Sequence, residues 1–166
     1  MPRTLAAAAL LALAACATPI TVTAPFVAEE VAYVSTRGNA TVSGQAFMRQ
    51  MGGGVVTCAG EEVMLIPAGR YATELMTRMF GDPQGGRMGA LSVMAPSETP
   101  AQFREMQRRA QCDAEGNFEF AGVANGPYYV LTRVIWTAGD SFIPEGGYVA
   151  RRVEVRGGRD QRVLLN

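Results

Sequence analysis

The segment Tyr128-Tyr129-Val130-Leu131-Thr132-Arg133-Val134-Ile135-Trp136 constrains the fold more than any other part of this chain. It is long, β-branched and aromatic, with apolar residues at both odd and even positions, so as a strand it turns apolar side chains to both faces. A central strand between two layers buries both. Shorter extended runs surround it. Thr41–Met48 and Glu62–Pro67 come before it, with Gly52-Gly53-Gly54 as a turn between them. After it, Tyr148–Arg156 sets Val149, Val153 and Val155 against Arg152, Glu154 and Arg156, and Gly157-Gly158 turns into Gln161–Leu165. Short strands separated by regular turns describe a mainly β sandwich.

Two turns are explicit. In Asp113-Ala114-Glu115-Gly116-Asn117-Phe118-Glu119-Phe120, Asp113 is placed to accept backbone N–H groups and Gly116 to take the left-handed conformation. Phe118 and Phe120 then share one face, with Glu119 opposite. Asn125-Gly126 is the second turn, leading into the central strand.

Between Glu62–Pro67 and Cys112 the period changes. Tyr71, Ala72, Leu75, Met76, Met79 and Phe80 form one apolar helical face over Arg70–Phe80, with Glu74 and Arg78 four apart on the polar face and Gly81 as the terminating residue. Thr99-Pro100-Ala101-Gln102 reads as a cap, a proline at the first helical position and a glutamine at the third. This second helix is expected to run to about Ala110 and bury Phe103, Met106 and Ala110. Both helices are read as an insertion over residues 69–111, packed on the β core.

The chain begins with an address. Arg3 precedes an apolar run of about ten residues, the size of a signal-peptide core and too short to span a bilayer. The run closes on Leu13-Ala14-Ala15-Cys16, which resembles a bacterial lipobox. That resemblance implies a signal peptide over 1–15, cleavage before Cys16, diacylglyceryl modification of its thiol and acylation of the new amine. Several acyl chains make a stable anchor where one is marginal. Ala17 is not the aspartate that retains such lipoproteins in an inner membrane, so delivery to an outer membrane is implied, with the periplasmic or surface face open. Residues 16–38, with Pro19 and Pro25, are read as a lipidated tether holding at most one short extended stretch at Val31–Ser35. The domain then occupies 39–166.

Composition removes several functions. The 166 residues hold 15 arginines, no lysine and no histidine, against 15 acidic residues. Without histidine there is no Ser-His-Asp or Cys-His catalysis and no imidazole metal site. Without lysine, Gly52-Gly53-Gly54 is no phosphate-binding loop. Zero net charge lacks the basic excess of a nucleic-acid binder. Loss of the leader leaves 14 arginines against 15 acids, which gives no charge-based attraction to anionic lipid.

With Cys16 lipidated, Cys58 and Cys112 remain, and an exported, oxidising compartment favours their pairing. The bridge would close a loop on the order of 55 residues, for which chain entropy suggests about 4 kcal/mol of stabilisation.

Taken together, Val42-Ser43-Gly44-Gln45-Ala46, Val63-Met64-Leu65-Ile66-Pro67 and especially Asp113-x-x-Gly116-x-Phe118-x-Phe120 followed by Gly126-x-Tyr128 resemble the carboxypeptidase regulatory-like domain, a transthyretin-like (prealbumin-like) sandwich. The resemblance runs from Thr41 to Leu165 and is interrupted by the insertion. It implies a seven-stranded antiparallel sandwich, no active site and no cofactor.

Met48-x-x-Met51 and Met76-x-x-Met79 are soft thioether pairs of the kind that select Cu(I), although Met76 and Met79 also lie on a face that must be buried. Glu29-Glu30 in the tether and Glu61-Glu62 at a strand entrance read as solvated positions. Arg151 shares the parity of the valines in its strand, and so points inward or to an edge. The expected function is that of a non-catalytic, lipid-anchored envelope protein whose sandwich is a binding or structural module. Its expected partners are the membrane, through the lipid, and an envelope protein or glycan. The alternative is a periplasmic carrier of a small ligand or Cu(I) using Met48, Met51, Met76 and Met79.

Overall fold

The computed structural model describes residues 19–92, 96 and 98–166. The expected signal peptide and Cys16 lie outside these residues. Nine strands and two α-helices follow in chain order among the described residues: β1 (Ala40–Arg49), β2 (Val55–Thr57), β3 (Glu62–Pro67), α1 (Arg70–Phe80), β4 (Gly85–Gly89), α2 (Ala101–Glu105), β5 (Arg108–Gln111), β6 (Asn117–Val123), β7 (Gly126–Thr137), β8 (Pro144–Val155) and β9 (Gln161–Leu165). A 3-10 helix, Ala28–Ser35, precedes them.

The strands form two sheets. One is built on β1, which pairs antiparallel with β2 and β6 and parallel with β9. The other has the order β4-β8-β7-β3-β5, with β7 central as its two apolar faces require. Between the sheets lies the first core, with Val42, Phe118, Phe120, Val130, Val134, Val155 and Leu165 among its members. Gly44 of β1 sits between β6 and β9. A Cβ there would collide with the Val163 carbonyl and the Phe118 ring, so only glycine lets β9 lie this close to β1.

The sandwich departs from the seven-stranded antiparallel expectation in two ways. It has nine strands, and the β1–β9 pair is parallel. The two added strands come from the stretch read as a helical insertion. β4 pairs with β8 and β5 with β3, so this stretch supplies both edges of the five-stranded sheet. The second helix stops at Glu105 rather than near Ala110, because Arg108–Gln111 pairs with Glu62–Leu65. Arginine, alanine and glutamine favour helix locally, and the unpaired edge of β3 overrides that preference. Phe103 is buried as expected, whereas Met106 and Ala110 are half-buried.

The first helix has the expected bounds, and Gly81 takes the left-handed conformation at its end, φ 77°. Its apolar face lies on the outside of the five-stranded sheet and makes a second core, in which Tyr71, Leu75, Met76 and Met79 meet Ile66, Tyr129 and Leu131.

The stretch read as a tether packs against the domain from Ile20 onward. Ile20, Val22 and Phe26 lie against the second core. Val31 is buried, and Tyr33 stacks edge-on against Tyr128 and donates to the Pro127 carbonyl at 2.5 Å. Burial pushes the Tyr33 and Tyr128 hydroxyls up, Tyr128 to about 12. The short extended stretch expected at Val31–Ser35 is the 3-10 helix. These apolar side chains find partners on the domain, which no local period announces.

Candidate functional site

Along a strand, alternate side chains share a face. On the outer face of the five-stranded sheet, Tyr129, Leu131 and Arg133 of β7 therefore align with Ile66 and Met64 of β3 and Ala150 and Tyr148 of β8. Register fixes the neighbours. Tyr148 stands between Arg133 and Met88, and Met64 between Leu131 and Arg109. One half of this face lies under α1, α2 and the N-terminal segment. The other half is open.

The open half holds a cleft of about 370 Å³ lined by Glu61, Glu62, Met64, Leu131, Arg133 and Tyr148, with Thr132 at its base. The Thr132 hydroxyl donates to the Glu62 carbonyl at 2.7 Å, which holds the edge of β3 against β7. Met64 and Leu131 make an apolar floor, and Tyr148 a half-buried aromatic wall. Charge lies at the rim. Arg133 Nε donates to Glu61 Oε2 at 2.5 Å, and Arg109 reaches Glu62 Oε2 at 3.5 Å. The hydrogen bond that Arg133 donates to Glu61, reinforced by the carboxylate charge, raises the Arg133 guanidinium above its ordinary value. Met64, Leu131 and Tyr148 also line a second, mostly apolar groove of about 250 Å³ that continues towards Met76, Met79 and Phe103. A floor of apolar side chains with a few convergent polar groups suits a small ligand with an apolar face and a hydroxylated edge.

A larger recess of about 570 Å³ runs past Ser43, Asp113, Asn117, Glu119 and Arg162. Its Asp113 carboxylate is engaged in the turn, where it accepts from the Asn117 side chain and from the backbone N–H groups of Asn117 and Glu115. Those bonds, the Asn117 side chain first, hold its carboxyl below the usual range. Gly116 closes the same turn at φ 80°, the left-handed conformation the sequence demands.

The sequence-derived sites are distributed as follows. Cys58 and Cys112 form a disulfide, with Cα atoms 5.8 Å apart, at the strand ends beside this cleft. Cys16 lies outside the described residues. Met48, Met51, Met76 and Met79 do not form a thioether cluster. Met48 is in the core between the sheets, Met76 and Met79 are in the core under α1, and Met51 is fully exposed on the β1–β2 turn. Burial in two separate cores explains Met48, Met76 and Met79, and the alternative Cu(I) ligand set is corrected accordingly. Glu30 is not simply solvated, since it accepts from the Arg70 backbone N–H and guanidinium and is lowered by those bonds. Arg151, paired between Gly85 and Val130, is exposed and reaches towards the other sheet, where it donates to the Leu164 carbonyl at 3.4 Å.

Sequence reasoning did not single out Tyr148 and Arg133. The available signal was parity: Tyr148 is an aromatic residue in phase with Arg152 and Glu154, on the face the valines leave.

No family model matches the sequence, and no curated protein matches it. Among solved structures, the chain is similar to the crystal structure of a Pseudomonas aeruginosa protein described provisionally as carbohydrate binding. The two share 27% identity and a TM-score of 0.71 over 84% of this chain and 96% of the other.

Proposed function

We propose that this protein is a non-catalytic carbohydrate-binding module of the cell envelope, held to a membrane by lipid on Cys16, with the Tyr148–Arg133 cleft as its binding face. The observation that carries the reading is the likeness over nearly the whole of a solved structure described provisionally as carbohydrate binding. The cleft adds the chemistry. A tyrosine ring and an apolar floor pack against the C–H face of a pyranose, while guanidinium and carboxylate groups at the rim hydrogen-bond its hydroxyls. The non-catalytic part is supported by the lack of histidine and lysine and by the engagement of Cys58 and Cys112 in a disulfide. The carboxypeptidase regulatory-like resemblance belongs to the same proposal, supported by the Asp113–Gly116 turn and the inward pair Phe118 and Phe120.

The test is calorimetric titration of the mature protein with a panel of neutral and acidic oligosaccharides. Saturable binding that is lost in Tyr148→Ala supports the reading, and absence of binding across the panel overturns it. The anchor is tested separately. Cys16→Ser should release the protein from the membrane fraction or leave it unprocessed, and unchanged processing with membrane retention contradicts lipidation.

A further inference from the structure

Five of the six exposed large apolar side chains among the described residues lie towards one end of the sandwich. They are Met51, Val55, Leu91, Phe142 and Ile143, with Met51 105% and Phe142 98% exposed. Hydrogen bonds and register place them together. Residues 138–143 are the tip of the β7–β8 hairpin, and Ala90 N–H donates to Gly146, which brings Leu91 beside that tip. The β1–β2 turn carrying Met51 reaches the same end, because Cys58 N–H donates to Ala46 and the Cys58–Cys112 bridge leads through Glu61 to Arg133, four residues before β7 ends. Leu164 stands apart from this end, since Arg151, only four residues from the far end of β8, donates to its carbonyl.

The opposite end is polar. Its loops carry Arg37, Asn39, Asn125, Arg156, Arg159 and Asp160, with Asn125 accepting from Gly158 N–H and Asp160 from Thr41 N–H. Such a one-ended apolar distribution marks a contact surface.

We propose that this end lies on the lipid bilayer, with Phe142 and Ile143 at the hairpin tip, joined by Met51 and Leu91, entering the headgroup–acyl boundary. The proposal rests on the reading of Cys16 as lipidated, and the chain outside the described residues names the occupant. Cys16 is three residues from Pro19, within a reach of about 10 Å. Ile20 bridges to Pro96, and Pro96 lines the groove that holds Tyr148. Tyr148 is four residues from Pro144 at the base of the tip, about 14 Å along β8. The described chain thus begins on the sheet face that carries Tyr148 of β8, the strand that leads to the apolar tip, and this is the side from which a lipid on Cys16 would be presented. No described helix is long and apolar enough to cross a membrane, so the contact is one of loop side chains entering the interface.

The experiment uses the full lipidated chain, purified from membranes and reconstituted into phosphatidylcholine liposomes with or without brominated acyl chains. Trp136 is the one tryptophan of the chain and gives a common background. A second reporter is added at the apolar end by Phe142→Trp, or at the polar end by Arg159→Trp. The proposal expects brominated lipid to quench more than half of the added fluorescence in Phe142→Trp and none in Arg159→Trp. Equal, unquenched reporters on protein that floats with the liposomes overturn the docking and leave the anchor standing. Protein that does not float overturns the anchor and the docking with it. Unquenched reporters, together with a Cys16→Ser dimer that Phe142→Ser dissociates, assign the surface to a second copy and overturn the lipid occupant.

Discussion

Along β7, Tyr129 and Arg133 point from the same sheet face and are four residues apart, yet their surroundings are opposite. Tyr129 is fully buried, and its hydroxyl donates to the Pro83 carbonyl at 2.6 Å beneath α1. Arg133 is exposed and pairs with Glu61 at the rim of a cleft. The strand and its parity are common to both, so the difference comes from what lies over them. α1, α2 and residues 20–26 cover one half of the sheet and leave the other bare. Under the cover, apolar burial contributes about 1.5–3 kcal/mol for each large side chain. Surface ion pairs like those of the open half contribute about 0–1 kcal/mol each. On this face, therefore, stabilisation comes mainly from the covered half, and the open half is the one proposed to meet a ligand.

That comparison can be broken in steps. Two large effects come first, and that of the disulfide is the broader, because the 54-residue separation it spans includes both helices of the cover and both edge strands. Replacing Cys58 and Cys112 with serine should cost at most about 4 kcal/mol, read as a lower denaturant midpoint. An unchanged midpoint would mean that the cover docks without help from the bridge. Next, Met76→Ala empties a fully buried site under α1 and should destabilise by about 2–5 kcal/mol, with saccharide affinity of the folded protein unchanged.

A smaller effect concerns the N-terminal part of the cover. Glu74 accepts from the backbone N–H groups of Ala24 and Thr23 and from Arg78. These bonds, Ala24 first, lower its carboxyl to about 2. A carboxyl lowered on folding stabilises above its ordinary value near 4.5, and that stabilisation is lost as pH falls from there towards 2. The Ala24 amide resonance should then titrate with a midpoint near 2. A midpoint at the ordinary carboxylate value would show that Glu74 does not hold the segment.

Much of the fold was legible because its signals are local. The amphipathic period of Arg70–Phe80 ends at a glycine in the sequence and in space, and the Asp113–Gly116 turn follows from side-chain chemistry at fixed offsets. What escaped depends on pairing between distant residues. Gly85-Gly86-Arg87-Met88-Gly89 has no strand propensity and becomes a strand only because β8 offers an edge. Arg108–Gln111 exchanges helical preference for the edge of β3. The N-terminal segment shows no period because its contacts are with α1 and β7. Half of the candidate site escaped for a related reason. The alternation of β8 tells which residues leave the inner core, but only the placement of α1 decides that Ala150 is covered and Tyr148 is left at a cleft.

The central claim is that one half of this sheet face stabilises the fold while the other binds ligand, and one paired measurement addresses it directly. Tyr148→Ala and Met76→Ala are compared for melting temperature and for affinity towards the best saccharide of the panel. The account predicts that Tyr148→Ala abolishes binding and costs no more than about 1 kcal/mol of stability, as expected for truncation of a half-exposed side chain. It predicts that Met76→Ala lowers the melting temperature by several degrees and leaves the affinity intact. A Tyr148→Ala protein that melts as low as Met76→Ala and still binds the saccharide with parental affinity would contradict it.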